Sequence, residues 1–466
     1  MTAQVFLQQL ATIVSPADIL HDAESLANYG RDWTRLHTPA PLAVCFPRST
    51  EQVSNVLRLA SEHGVAVVPS GGRTGLAGGA VAADHELVLS LEKMNHIGAV
   101  CTSSRTIHVE AGAITDAVQA ACEPLGLQWP VDFASSGSSH IGGNLATNAG
   151  GIRVIKYGMA RRWVLGVKAV LMDGTILDMT TPLEKNNTGY DLTQLLIGSE
   201  GTLAVITEAT LKLAPIPAAT QVALFSVGSM ESASDLLAFA NTTAGARLMA
   251  CEVMSRACLD VMQKHSGAFF PLEGNADYAV LIEVDGRDDT DAENCLTQIA
   301  ERAFENETVL HAVIAQSAKD KAALWRWREG IGEALAKDGL LHKNDIAVPV
   351  MDIPAFTEAL LTLAEKHRLT PFVFGHLGDG NLHVNTMKDA GASLDEFQKA
   401  MKAWNAELFV LLHDFRGSIS AEHGIGLLKR DALKHTRCAA EIALFRQIKA
   451  AFDPRGLLNP GKVIVS

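Results

Sequence analysis

The strongest chemical pattern in the chain lies in two short stretches. Gly375-His376-Leu377-Gly378-Asp379-Gly380-Asn381-Leu382-His383-Val384-Asn385 sets two histidines on either side of a Gly-Asp-Gly turn, and Ser420-Ala421-Glu422-His423-Gly424-Ile425-Gly426 adds a glutamate and a third histidine. Imidazoles with a carboxylate are the donor set that a borderline divalent metal takes, and a tight turn can fold His376 back towards His383. A lone histidine is more often an ordinary structural residue. Three of them among glycine turns, with a glutamate beside one, favour a metal or proton-transfer site. A cation held by two neutral imidazoles and a carboxylate keeps positions open, so the hydroxyl and adjacent carboxylate of a small molecule could chelate it. The metal would lower the hydroxyl pKa, and a neighbouring imidazole titrating near neutrality could take the proton.

A second pattern lies towards the N-terminus. Val67-Val68-Pro69-Ser70-Gly71-Gly72-Arg73-Thr74-Gly75-Leu76-Ala77-Gly78-Gly79-Ala80 holds five glycines with Ser70 and Thr74. Backbone N–H groups in such a loop can converge on an anion, as in a pyrophosphate cradle. The loop is neither GxGxxG opening a helix nor GxxxxGK[ST], so no nicotinamide fingerprint and no Walker loop is present. A second glycine-rich run from Pro130 to Gly151 follows. Two such loops in one domain suggest a long ligand held by backbone contacts.

These stretches need a scaffold, and the chain is long enough for two domains, at 466 residues. From about 40 to 215, β-rich runs such as PLAVCFP, VAVVPSGG, LVLSL, TIHVEAG, VLGVKAVLMDG and LAVITEATLKL alternate with helical stretches, among them Ser49–His63 with an N-capping opening. Pro215 and Pro217 punctuate the chain before a new strand, QVALFSV. Beyond them, YAVLIEV and FVFGHLG alternate with helices predicted over Lys319–Lys337 and Leu394–Phe415. The formal charge of −13 argues against a nucleic-acid or anionic-membrane binder. Seven scattered cysteines without a CxxC pair fit a reducing compartment such as the cytoplasm. No stretch is apolar for long enough to span a membrane, and no secretory signal is visible.

PSGGRTGLAGG, IGGNLATNAGG and IGSEGTLAVIT at 197–207 resemble the FAD-binding domain of the vanillyl-alcohol oxidase and p-cresol methylhydroxylase superfamily. The resemblance implies FAD contacts at Pro69, Ser70, Gly71, Gly72, Arg73, Thr74, Gly75, Leu76, Asp132, Ser135, Gly142, Asn148, Gly150, Gly151, Glu200, Gly201 and Ile206, with Asn459 of the Asn459-Pro460-Gly461-Lys462 tail bordering the flavin. Members with tethered FAD carry a histidine in the first loop; none lies between Pro69 and Ala80, which implies non-covalent FAD. His140 stands where relatives often have threonine.

GHLGDGNLH and AEHG are similar to motifs of the D-lactate and D-2-hydroxyglutarate dehydrogenase branch, and the likeness covers roughly residues 40 to 466. It implies a divalent metal, usually zinc in that branch, on His376, His383 and Glu422, with His423 as the catalytic base and Asn385 beside the substrate. Trp325-Arg326-Trp327-Arg328-Glu329 and His342-Lys343-Asn344-Asp345 match two further stretches, implying that Arg328 and Lys343 bind substrate carboxylate. Relatives acting on 2-hydroxyglutarate often carry threonine four residues beyond this arginine, where this chain has Gly332.

The expected fold is α+β: a two-part FAD-binding domain of the p-cresol methylhydroxylase type over 1–215, an inserted α+β substrate (cap) domain over 216–415, and a segment over 416–466 that returns to the FAD domain carrying Glu422 and His423. The expected reaction is oxidation of a D-2-hydroxy acid to the 2-keto acid, with 2-hydroxyglutarate preferred over lactate, glycolate or malate. Electrons would pass to an electron-transfer flavoprotein, quinone or cytochrome, and a homodimer is a compatible assembly. A non-catalytic flavin-binding subunit of a larger complex is the alternative; a metal hydrolase would leave the two glycine loops unexplained.

Overall fold

The computed structural model describes residues 3–465 other than Ala268, Glu273 and Asn275. The chain divides into two compact units: Met1–Gly151, Met159–Ile216 and Glu422–Ser466 form the first, and Ile152–Gly158 with Pro217–Ala421 form the second.

The first unit is built on two four-stranded sheets. In one, Ala43–Cys45, Leu87–Ser90 and Val67–Ser70 run parallel, with Ile19–Leu20 antiparallel at the edge. Thr50–His63 is the crossover helix, opened by Ser49, whose hydroxyl accepts from Gln52 N–H, and closed at left-handed Gly64. It buries Val53, Val56, Leu57 and Ala60 against this sheet's core. The other sheet is antiparallel, in the order Thr106–Glu110, Val205–Lys212, Val164–Val170, Ile176–Asp178. Each strand expected from sequence here is present. The tail completes the first sheet: Val67 N–H donates to Leu457 O and Asn459 N–H to Val67 O, a parallel bridge between Val67 and Leu458. The buried Lys449 ammonium donates to Thr202 O, Leu458 O and Asp453, which fixes this closure from below.

The second unit carries a seven-stranded sheet in the order His311–Ile314, Ala219–Val227, Tyr278–Gly286, Leu248–Ser255, Phe372–His376, Asn381–Met387, Leu341–Ala347, antiparallel throughout. The helix expected over 319–337 is two, Ala318–Glu329 and Ile331–Asp338, meeting at Gly330. A Cβ on Gly330 would lie 2.7 Å from Met262 Cε, so the Arg256–Ser266 helix packs close to this junction. Leu394–Asp414 is one helix with a Ser393/Glu396 capping box.

Two boundaries differ from those expected. Residues 416–421 belong to the second unit, because Ser418 exchanges backbone hydrogen bonds with Ala347. Ile152–Gly158 also belongs there, since Arg153 pairs with Glu283 at 3.3 Å and Lys156 pairs with Asp285.

Candidate functional site

In the first unit, the Val67–Ser70 strand delivers its carboxyl end into the first glycine loop, the place where open α/β sheets bind ligands. A cleft opens there, lined by Pro69 to Gly75, His140, Gly142, Gly143, Glu200, Gly201, Ile206 and His423, among others. Gly72 must be glycine: a Cβ would fall onto the Ser138 carbonyl of the second loop. At Gly75 and Gly143, by contrast, a Cβ would meet nothing within 4 Å, so backbone faces open space.

Two buried polar atoms in the wall, Ser70 Oγ and His140 Nδ1, have no hydrogen-bond partner among the described residues. Such groups are costly unless a ligand or water meets them. Burial, aided by the Arg73 charge, pushes the His140 pKa below its usual value, so the ring is neutral at pH 7. Arg73 itself stacks over the Tyr29 ring at 4.2 Å. A bare-backbone cradle with orphaned donors and acceptors fits a long phosphate-bearing cofactor such as FAD.

Not every expected contact lines this cleft. Leu76, Asp132, Ser135, Asn148, Gly150, Gly151 and Asn459 are absent from its wall. Several of them are scaffold: Asn148 Oδ1 accepts from Arg161 N–H, and Gly151 packs on the Asp132 carbonyl too closely for any Cβ. Asn459 Nδ2 donates to Glu200 O and Gly79 O, buckling the tail to both segments. Glu200 has a role the sequence did not suggest. Its carboxylate accepts the N–H groups of Ile425 (2.7 Å) and Gly426 (2.8 Å), so it anchors the segment that holds His423 at the cleft.

In the second unit the hairpin Phe372–His376/Asn381–Met387 explains the His-x6-His spacing. His376 lies directly opposite Asn381, and Phe374 opposite His383, so both imidazoles project from one face. Their ring centroids are 5.6 Å apart. The turn needs Gly380, whose φ is +85° and whose Cβ would strike Val348 O. The same face gathers more polar groups, because Glu252 is paired with His376, Asp345 with His383, and Lys343 with Asn385.

Each histidine is backed by a carboxylate. His376 Nδ1 is 2.8 Å from Glu252 Oε1, and His383 Nδ1 is 3.7 Å from Asp345 Oδ1, which also accepts from Asn381 Nδ2. A ring hydrogen-bonded through Nδ1, as His376 is, ligates through Nε2, the usual arrangement of metal-binding histidines, and with His383 beside it this donor pair fits a divalent metal. Burial alone would raise the Glu252 pKa; the neighbouring His376 and Arg328 charges reverse this and hold it below the ordinary value.

Arg328 enters this face from the Ala318–Glu329 helix. It is 6% exposed, and its Nε donates to Glu252 Oε2 at 2.7 Å. Among the described residues its two Nη groups have no hydrogen-bond partner, nor has the exposed Lys343 ammonium or the buried Asn385 amide. Three side chains that can donate hydrogen bonds therefore share one face. Gly332 faces open space, with nothing within 4 Å of the place a Cβ would take.

Glu252 is the residue that sequence reasoning missed. Its signal was there: one carboxylate inside the apolar run Leu248-Met249-Ala250-Cys251-Glu252-Val253-Met254, where glutamate is buried only when paired.

Residues 216–463 match the family described as FAD linked oxidases, C-terminal domain, and residues 41–180 match the FAD binding domain. The chain is 41% identical to D-2-hydroxyglutarate dehydrogenase of Stutzerimonas stutzeri, covering 100% of both chains. It is 45% identical to D-2-hydroxyglutarate dehydrogenase of Xanthomonas citri pv. viticola, covering 99% of this chain and 96% of that one. To the mitochondrial D-2-hydroxyglutarate dehydrogenase of Bos taurus it is 36% identical, over 97% and 82%. In fold it resembles p-cresol methylhydroxylase with substrate bound, at TM-score 0.74 and 15% identity over 99% of this chain and 97% of that one. 4-Ethylphenol oxidase from Gulosibacter chungangensis gives TM-score 0.76 and 16% identity with the same coverage.

Proposed function

Because the chain belongs to the family of FAD linked oxidases, we propose that it oxidises a D-2-hydroxy acid to the 2-keto acid, with D-2-hydroxyglutarate as the preferred substrate. The single observation that carries the preference is the set of donors on the second unit's sheet face. Among the described residues Arg328 Nη, Lys343 Nζ and Asn385 Nδ2 lack protein partners there, beside the two histidines. A hydroxy acid whose hydroxyl and first carboxylate are chelated needs no further cation; a diacid uses Arg328 and Lys343 for its second carboxylate. Lactate and glycolate would leave them unanswered.

FAD, when bound in the glycine cleft, supplies the acceptor for the C2 hydride. A divalent metal, zinc being the usual one for such donors, would be held by His376, His383 and Glu422 and would acidify the substrate hydroxyl. His423 takes the hydroxyl proton, and Glu200 keeps its segment in place. Arg328 and Lys343 orient the acid, and Asn385 donates to it.

Electrons then leave to an electron-transfer flavoprotein, a quinone or a cytochrome. The seven cysteines are all free thiols, five of them buried, which supports a reducing compartment such as the cytoplasm. Among the described residues no helix is long and apolar enough to cross a membrane.

Anaerobic mixing with a panel of D- and L-2-hydroxy acids, followed by flavin absorbance, tests the reading. D-2-hydroxyglutarate is expected to bleach the flavin fastest and its L-enantiomer not at all; failure of every 2-hydroxy acid would overturn it. FAD is expected to be dissociable, since no histidine stands between Pro69 and Ala80. After acid precipitation the yellow colour should stay in the supernatant; colour in the pellet would mean a covalent link.

A further inference from the structure

We propose that Glu252 is a positioning residue that sets the substrate-binding arginine and a metal-binding histidine with one carboxylate, coupling metal retention to recognition of the acid. The proposal rests on the roles given above to Arg328 and His376.

Glu252 is fully buried, and each of its oxygens has a different partner. Oε1 meets His376 Nδ1 at 2.8 Å and Oε2 accepts the Arg328 Nε–H at 2.7 Å. An ionised carboxylate only accepts hydrogen bonds, so His376 must place its proton on Nδ1, which leaves the Nε2 lone pair for a metal. Arg328, held through Nε, keeps the parallel Nη pair for a planar carboxylate. Backbone pairing of Glu252 with His376 fixes the depth of the carboxylate beside the imidazole. Packing of the guanidinium over Phe374, 5.1 Å from the ring centroid, fixes its plane, and Phe374 in turn packs on His383 at 5.0 Å. One side chain thus orients a group on a strand and a group on a helix.

Glu252→Gln keeps the size of the side chain and breaks this logic. An amide has one accepting oxygen, so its NH2 group must confront either the Arg328 Nε–H or the His376 Nδ1–H. Relief on the histidine side moves that proton to Nε2, which can no longer ligate.

The expected result, with zinc alone as the probe, is about 10–100-fold weaker metal retention against a graded chelator. With metal in excess, KM for D-2-hydroxyglutarate should rise more than KM for D-lactate, and FAD content should be unchanged. A folded variant, judged by unaltered Tm, that matches wild type in both metal retention and the KM ratio overturns the proposal. Wild-type protein that takes up no divalent metal sinks the metal reading itself, and the proposal with it. If the variant does not fold, ¹⁵N-histidine spectra of the cadmium-113-loaded wild type decide. Coupling of the metal to His376 Nε2 with a protonated Nδ1 supports the proposal, and ligation through Nδ1 overturns it.

Discussion

Replacing His423 by alanine is expected to slow substrate-driven flavin bleaching by about 10²–10⁴-fold, the usual contribution of a positioned general base. Bound FAD and metal should remain, since His423 is one residue in a long cleft wall and its neighbours are anchored independently. Glu200 holds Ile425 and Gly426, and Ala77 O accepts the N–H of Leu427. The measurement is single-turnover bleaching of His423→Ala against wild type at saturating D-2-hydroxyglutarate, together with FAD and metal content. Equal bleaching rates would remove His423 from proton abstraction, whereas no bleaching in either protein would favour a flavin-binding subunit without chemistry of its own. Loss of rate accompanied by loss of FAD would instead make His423 a cofactor-binding residue.

The second large effect is expected at Gly72. A methyl group there must displace the Ser138 carbonyl, a backbone atom of the opposing glycine loop that cannot rotate away as a flexible side chain would. Overpacking of this kind costs about 1–3 kcal/mol, and every 1.4 kcal/mol is about tenfold in binding. Gly72→Ala is therefore expected to bind FAD about 10–100-fold more weakly, by fluorescence titration of apoprotein. Gly228→Ala is the matched control, because nothing lies within 4 Å of its Cβ position. An unchanged FAD affinity in Gly72→Ala would mean that the two loops do not meet in this way.

Local patterns carried most of the fold. Alternation and turn residues marked the main strands of the first unit and three of the seven in the second unit's large sheet, and the Ser49 cap marked the start of the Thr50–His63 helix. The break at Gly330 was not visible, since a single glycine in a helical pattern does not announce the Met262 side chain that packs against it. Of the site, the glycine loops and the histidines were legible because their residue types are unusual and close in sequence. Glu252 was not: its partners, Arg328 and His376, lie far along the chain and meet it only through strand order and helix packing. The expected FAD contacts divided by the same principle. Loop residues whose backbone faces the cleft line it, whereas Asn148 Oδ1 and Asn459 Nδ2 meet backbone groups that hold the loops, and the buried Asn459 Oδ1 has no partner among the described residues.

The parallel bridge from Val67 to Leu458 also sets a timetable for biosynthesis. The strand that opens the first glycine loop leaves the ribosome early, and the partner for its second edge follows only after the entire inserted unit has been made, about 20–80 s later at ordinary elongation rates. Through that interval the nascent Val67–Ser70 strand keeps an unpaired edge, a template for wrong pairing that the cell must shield. The inserted unit, contiguous from Pro217 to Ala421 but for one short segment, can mature first. The Asn459 contacts to Gly79 and Glu200 beside the glycine cleft thus form only after the inserted unit has been made.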